Sequence, residues 1–82
     1  MKEKQFAVIG IGRFGTSLIK ELTMMGHEVL AIDVDEDRVN DAVDFATHAV
    51  QADTMDVHVL KTLGIRNFDA VIVAIGDNPF YT

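Results

Sequence analysis

The residues best suited to bind a ligand are three glycines near the N-terminus and one acid that follows them. Gly10, Gly12 and Gly15 come directly after an apolar run, and Asp33 ends a second apolar run 18 residues after Gly15. Glycines allow backbone N–H groups to approach a phosphate closely, and a carboxylate accepts hydrogen bonds from ribose hydroxyls. The residue types and their spacing therefore favour a nucleotide as the ligand.

In this interpretation, each of the three positions requires glycine for a different reason. Gly10 allows a tight turn out of a strand, Gly12 lets the backbone approach a pyrophosphate, and Gly15 lets a helix pack closely on the sheet. The helix that begins near Arg13 adds unpaired N–H groups and a positive dipole end. A strand, a glycine turn, a helix and an acid at the next strand's tip form the dinucleotide-binding fingerprint of a Rossmann βαβ unit.

The remaining sequence alternates between strand-like and helix-like patterns joined by short links. This alternation predicts an α/β fold with a parallel, doubly wound sheet in strand order 3-2-1-4. That order is a partial Rossmann-type sheet without the fifth and sixth strands, and we interpret residues 1–82 as one truncated nucleotide-binding domain. The strands are predicted at residues 5–9, 28–33, 48–52 and 70–75, and the helices at 13–25, 36–45 and 56–63.

The last predicted strand, residues 70–75, is apolar at every position. Such a strand is typical of a sheet centre that is covered on both faces. In the order 3-2-1-4 it lies at the edge, and only seven residues follow it. We therefore expect either that the chain is a piece of a longer protein or that another chain pairs with the open edge.

Composition narrows the function classes. With 49% apolar and 24% charged residues the chain is typical of a globular domain, and its net charge of −6 disfavours a nucleic-acid partner. It has no cysteine for disulfide or thiolate chemistry. No segment reaches the roughly 18 apolar residues of a membrane span, and the N-terminus leads directly into a strand. We expect a cytoplasmic location without membrane insertion.

Two charged residues bear on the choice of nucleotide. Asp33 either contacts ribose or is a solvated turn residue, and its spacing from the glycines favours ribose. The same carboxylate would repel a 2′-phosphate, which disfavours NADP. Arg38 could compensate, but it lies a helical turn away and is expected to face solvent. Arg13 occupies the first helical turn, where a cation is unfavourable, and this favours a phosphate contact over a solvated role.

Asp53 and Thr54 follow the third strand, beside the position that an adenine would occupy. They either contact the base or cap the next helix, for which Thr54 is well placed. Asp53 and Asp56 are too isolated to indicate a metal site. The three histidines are scattered and lack a plausible partner acid or nucleophile, so no catalytic group is assigned; they are His27, His48 and His58.

Residues 6–15 closely resemble the start of the KTN domain, also called the N-terminal RCK or TrkA-N domain. This domain is the cytoplasmic regulatory module of bacterial potassium transporters and channels. The resemblance is strongest to Ktr-type peripheral subunits of Gram-positive bacteria. It covers nearly the whole chain and continues at residues 26–29, 33–36, 47–50, 63–69 and 71–76.

The resemblance implies non-enzymatic sensing of NAD(H) or ATP/ADP, assembly into dimers and rings, and gating of an integral-membrane potassium subunit. The family's crossover helix and last two strands are missing, alanine replaces a common glycine at position 52, and residues 78–82 depart from the family pattern. By position, the resemblance places the phosphates at Gly10, Gly12, Arg13 and Gly15, the ribose at Asp33, adenine at Asp53 and Thr54, and the closing side of the cleft at Ile75 and Gly76. Ile11, Phe14 and Val34 complete the expected cofactor-binding set, with Phe14 as core or as cover for the binding turn.

Two alternatives remain open from the residues themselves. The chain could be the N-terminal half of the NAD-binding domain of a dehydrogenase whose catalytic residues lie further along. It could also be a Rossmann remnant that binds no ligand. A second regulatory domain after the strands would favour the sensor, and a downstream catalytic lysine, histidine or tyrosine would favour the dehydrogenase.

Overall fold

A four-stranded parallel sheet forms the centre of the computed structural model, which describes residues 3–75. The strand order is 3-2-1-4, as predicted. Among the described residues, none of the helices combines the length and the apolarity needed to cross a membrane. In chain order the elements are β1 (Gln5–Ile9), α1 (Arg13–Met24), β2 (Glu28–Asp33), α2 (Glu36–Ala42), β3 (His48–Gln51), α3 (Val57–Thr62), a short 3₁₀ helix (Ile65–Asn67) and β4 (Ala70–Val73).

Strand β1 lies in the middle and sets the register of both neighbours. Its last residue, Ile9, pairs with Ile32 of β2 and with Val73 of β4. Because all strands are parallel, their carboxyl ends meet at one edge of the sheet. The segments that follow Ile9, Ile32 and Val73 therefore lie side by side. The glycine turn, which follows Ile9, is thus next to Asp33, which follows Ile32.

The two central strands, β1 and β2, are buried on both faces, and their successive side chains point alternately to the two sides. On one face, Val8 and Val29 pack against α1 and α2 through Ile19 and Val39. On the other face, α3 and the 3₁₀ helix cover the strands; the strand residues are Ile9, Leu30 and Ile32, and the residues packed on them include Leu60, Leu63, Ile65 and Phe68. Complete burial of a side chain such as Ile32 contributes about 1.5–3 kcal/mol, so these two layers hold the carboxyl edge in place.

Two predicted helices are shorter than their patterns suggested. Helix α2 ends at Ala42 and not at residue 45, because the N–H groups of Asp44 and Phe45 bond to carbonyls only three residues back, on Asp41 and Ala42, at 3.4 and 3.0 Å. This tightened turn directs Phe45 onto the core. Helix α3 begins at Val57, and its cap is the carboxylate of Asp56, which accepts from the backbone N–H groups of the next turn. The alternative in which Thr54 caps this helix is therefore wrong.

Strand β4 ends at Val73, two residues earlier than predicted, because its neighbour β1 ends at Ile9. The Ala74 N–H still donates to the Ile9 carbonyl at 2.7 Å, and there the ladder stops. Val71, Val73 and Ile75 are 40%, 39% and 48% exposed. Within the described residues, this strand is thus open on the face toward α3. Residues 76–82, which include the departure expected at 78–82, lie outside the described part of the chain.

Candidate nucleotide site at the carboxyl edge of the sheet

The glycine turn lies tightly against two neighbouring elements. Gly10 has φ +103°, its N–H donates to the Ile32 carbonyl at 2.8 Å, and a Cβ built there would lie 2.7 Å from the Ala74 carbonyl oxygen. A Cβ at Gly15 would overlap the carbonyl oxygen of Gly10. The first position needs glycine for its φ as well as for space, and the second needs it for space alone.

Helix α1 directs its N-terminus at this turn. Gly12 is the N-cap in extended conformation, it makes no side-chain cap hydrogen bond, and no acidic residue occupies the first turn. The first intrahelical bond runs from the Thr16 N–H to the Gly12 carbonyl at 2.9 Å. The positive end of the helix dipole therefore meets the edge of the sheet without a carboxylate of its own first turn, which is an arrangement that binds phosphate.

Asp33 is buried and is bonded to the glycine turn. It is 6% exposed, one oxygen (Oδ2) accepts from the Ile11 N–H at 2.7 Å, and the other (Oδ1) accepts from the Asp35 N–H at 2.9 Å. The alternative of a solvated turn residue is therefore wrong. A carboxylate has about four acceptor positions, so capacity remains for ribose hydroxyls after the two amides are satisfied.

Arg38 is exposed, as expected, but its guanidinium also lies beside Asp33. Its Nη1 is 3.9 Å from the Asp33 Oδ2, while its side chain remains 53% exposed. The cause is the start of α2 at the Asp35 cap, which makes Arg38 the third helical residue. Side chains in a helix tilt toward its N-terminus, so Arg38 extends back toward the tip of β2. A basic residue three positions after an Asp cap was the available signal.

A cavity of about 160 Å³ lies at this edge. Pockets for drug-sized ligands usually hold about 300 Å³ or more, so this cavity is too small to enclose a whole nucleotide. Apart from Arg38, its lining residues were all candidates from the sequence; the lining consists of Gly10, Asp33, Val34, Arg38, Thr54 and Ile75.

Other candidates take structural positions near the cavity. Phe14 packs against the core cluster of α1, and Ile11 is 4% exposed, with its side chain in the core and its N–H donated to Asp33. Asp53 is exposed and accepts from the Met55 N–H at 2.9 Å, which fixes the turn that carries Thr54. Gly76 lies outside the described residues.

A larger cavity of about 510 Å³ lies at the opposite edge of the sheet, where the strands begin. Its polar rim includes Gln5 and Glu28, which are joined by a 2.8 Å hydrogen bond, and its floor is the apolar sheet face beside Leu63 and Phe68. Neither the glycine turn nor the α1 N-terminus contributes to its lining. The chemistry that suits phosphate is therefore at the smaller cavity.

Comparison with known proteins relates most of the chain to one domain family. The model of the TrkA-N domain matches residues 6–81, and so extends into the closing segment that was expected to depart from the pattern. Ktr system potassium uptake protein A of Bacillus subtilis (strain 168) is 60% identical over 78 residues, which cover 95% of this chain and 35% of that protein. Protein C of the same system is 59% identical over 76 residues, covering 93% of this chain and 34% of that protein.

A more distant relative is the Trk system potassium uptake protein TrkA of Mycobacterium tuberculosis (strain ATCC 25618 / H37Rv). It is 31% identical over 72 residues, which cover 88% of this chain and 33% of that protein. The chain thus spans about a third of the length of these relatives. The similarity is confined to the part of each relative that corresponds to this α/β unit.

Proposed function

The chain belongs to the TrkA-N domain family, and we propose that it is the nucleotide-binding part of a regulatory protein that controls a potassium transporter. The relatives named above are potassium uptake proteins, which supports this role over the dehydrogenase half that the same fingerprint allows. In this proposal the chain senses a nucleotide and performs no catalytic step. It acts in the cytoplasm and reaches the membrane only through its partner.

The observation that carries the proposal is the bond between Asp33 and the glycine turn at the mouth of the cavity. The 2.7 Å contact from the Ile11 N–H joins the ribose acid directly to the phosphate turn. One rigid edge thus offers an anion site and an acceptor for hydroxyl groups. An adenine nucleotide combines these two requirements.

We assign each part of the nucleotide to one group of residues. The phosphates lie on the turn and the α1 N-terminus, with Arg13 as a charged contact. The ribose hydroxyls donate to Asp33, and the base lies toward the side of the cavity formed by Val34, Thr54 and Ile75. NAD(H) and ATP/ADP share these features, so both classes are candidate ligands.

The partner in this proposal is an integral-membrane potassium channel or transporter subunit, which the regulator contacts as a dimer or ring. Potassium flux into vesicles that hold such a subunit tests the partnership when it is measured with the full-length regulator, with and without nucleotide. A flux that ignores both regulator and nucleotide would contradict it.

We predict that NADH binds the chain at least tenfold more tightly than NADPH, because the 2′-phosphate meets the buried Asp33 carboxylate and lacks the hydroxyl that would donate to it. Isothermal titration calorimetry with NADH, NADPH and ATP measures the difference. Equal affinity for NADH and NADPH would contradict the ribose role of Asp33. Absence of binding by both NADH and ATP would contradict the proposed function itself.

We also predict that this 82-residue chain associates through β4. Val71 and Val73 are about two-fifths exposed on the open face, and covering a few hundred Å² of apolar surface contributes several kcal/mol at about 25 cal/mol per Å². Val73→Lys should weaken association, because charge on an edge strand opposes pairing. Val43→Lys, at a valine that is 60% exposed beyond α2, is the matched control. Sedimentation at micromolar concentration distinguishes them, and a monomeric parent chain would contradict the prediction.

A further inference from the structure

We propose that Arg38 determines how strongly the site discriminates against a phosphate on the 2′-hydroxyl of the adenosine ribose. This inference rests on the proposed function, since it concerns the same cavity. The sequence indicated only that Arg38 could compensate for the Asp33 charge, and the structure now places the two side chains side by side. The two kinds of ligand that the site would distinguish differ in charge at one position of the ribose, which carries either a hydroxyl or a phosphate.

The geometry places Arg38 where a substituent on that ribose would lie. Both Arg38 and Asp33 line the cavity, and the guanidinium Nη1 is 3.9 Å from the carboxylate Oδ2. This distance is too long for a hydrogen bond. The five N–H donors of the guanidinium are thus not committed to Asp33, and a fork of donors fits phosphate oxygens well.

Backbone hydrogen bonds fix the position of the helical turn that carries Arg38. The Asp35 carboxylate caps α2 by accepting from the N–H groups of Asp37 and Arg38, at 2.8 and 3.3 Å. Asp35 in turn donates its own N–H to Asp33 at 2.9 Å. These backbone hydrogen bonds therefore fix the start of α2, which carries Arg38, relative to Asp33.

The two charges act oppositely on a 2′-phosphate. The side chain of Asp33 is 8% exposed and that of Arg38 is 53% exposed, so solvent screens the arginine more than the acid. The carboxylate prevails and the hydroxyl form of the ribose is preferred, but the arginine reduces the penalty. Without Arg38, the carboxylate would meet the phosphate without an opposing charge and the discrimination would increase.

If Arg38 only stabilised the fold, Arg38→Ala would lower the melting temperature and would leave the ratio of the two ligand affinities unchanged. A half-exposed ion pair at 3.9 Å contributes little to folding stability. Alanine is also a better helix former than arginine, so Arg38→Ala should leave the melting temperature nearly unchanged. The effect of the substitution should instead appear in the ratio of two ligand affinities.

The test uses 5′-AMP and adenosine 2′,5′-bisphosphate, which differ only by the 2′-phosphate and represent the half shared by NAD(H) and ATP. Calorimetry on the parent chain and on Arg38→Ala should show the affinity ratio rising about tenfold in favour of 5′-AMP. Arg38→Lys should keep most of the parent ratio. Arg66→Ala removes the same charge from the 3₁₀ helix, outside the cavity lining, and should leave the ratio within about twofold.

Three outcomes would overturn the proposal. An unchanged affinity ratio in Arg38→Ala, even if both ligands bind more weakly, would show that Arg38 does not act on the 2′-position. The proposal of nucleotide binding would not be affected by that result. An equal change in Arg66→Ala would show that only net charge matters. ATP and NADH are titrated into the parent chain in parallel. If neither binds, the proposed function fails together with this inference.

Discussion

Gly15→Ala is expected to destabilise the fold by about 3–5 kcal/mol and to abolish nucleotide binding. A methyl group at this position would overlap the carbonyl oxygen of Gly10 and lie 3.1 Å from its carbonyl carbon. Gly10 cannot move aside, because its N–H is bonded to the Ile32 carbonyl and its other side faces the backbone of Ala74. The new methyl group must therefore push α1 away from the sheet.

Gly26→Ala provides the matched control, because it adds the same methyl group where nothing lies within 4 Å. Gly26 has φ +91°, so alanine there is strained by about 1–2 kcal/mol but causes no collision at the site. Urea unfolding of both variants, with calorimetry using ATP, separates strain from overlap. Equal destabilisation by the two substitutions would show that the close approach of α1 to the glycine turn is not essential.

The most accurate sequence predictions concern elements whose limits are set locally. Strands β1 and β2 begin and end at the predicted residues, because each is an apolar run that ends where the chain must turn or present an acid. The left-handed glycines at 26 and 64 similarly mark the ends of α1 and α3. The strand order follows from the alternation of strands and helices, since each crossover constrains the next.

The errors occur where distant contacts decide the local structure. The pattern of α2 continues to residue 45, but Phe45 leaves the helix to pack on the core, where the Lys20 Nζ lies 5.0 Å from its ring centre. Similarly, β4 ends with its neighbour β1 and not with its own apolar run. The sequence of one helix or strand does not show which distant residues or which neighbouring strand will end it.

The candidate site also has some features that the sequence predicts and others that only the fold shows. The glycine spacing and the position of Asp33 could be recognised from the sequence, since one turn and one strand fix both. The bond from the Ile11 N–H to Asp33 joins residues 22 positions apart and could be found only in the fold. Arg38 was expected to face solvent and not to reach Asp33, because its position depends on where α2 begins, and the Asp35 cap decides that.

Asp33→Asn is expected to lower the free energy of unfolding by about 2–3 kcal/mol. In the parent chain, each carboxylate oxygen accepts one buried N–H, from Ile11 at 2.7 Å and from Asp35 at 2.9 Å. Asparagine has only one acceptor oxygen, so in either orientation its NH₂ group faces an amide donor. For a domain of this size the melting temperature should fall by roughly 10–20 °C.

The same substitution should weaken NADH and reduce the gap between NADH and NADPH. The ribose hydroxyls lose a charged acceptor, and charge-assisted hydrogen bonds are roughly twice as strong as neutral ones. The 2′-phosphate at the same time loses the carboxylate that repels it. NADH should therefore bind about tenfold more weakly, while NADPH changes less, and calorimetry at a temperature below the lowered melting point measures both.

Asp69→Asn is the matched control because its carboxylate also accepts a backbone N–H at 2.7 Å, from Gln5. That residue is exposed and accepts this one amide, so asparagine can turn its oxygen toward the donor while water solvates the NH₂ group. Its melting temperature should fall by no more than about 4 °C. If Asp33→Asn is equally mild, the carboxylate does not hold the glycine turn, and the rigid edge on which the ribose assignment depends is wrong. If Asp33→Asn unfolds the chain more easily yet binds NADH as the parent does, Asp33 supports the turn alone and the ribose hydroxyls bind elsewhere.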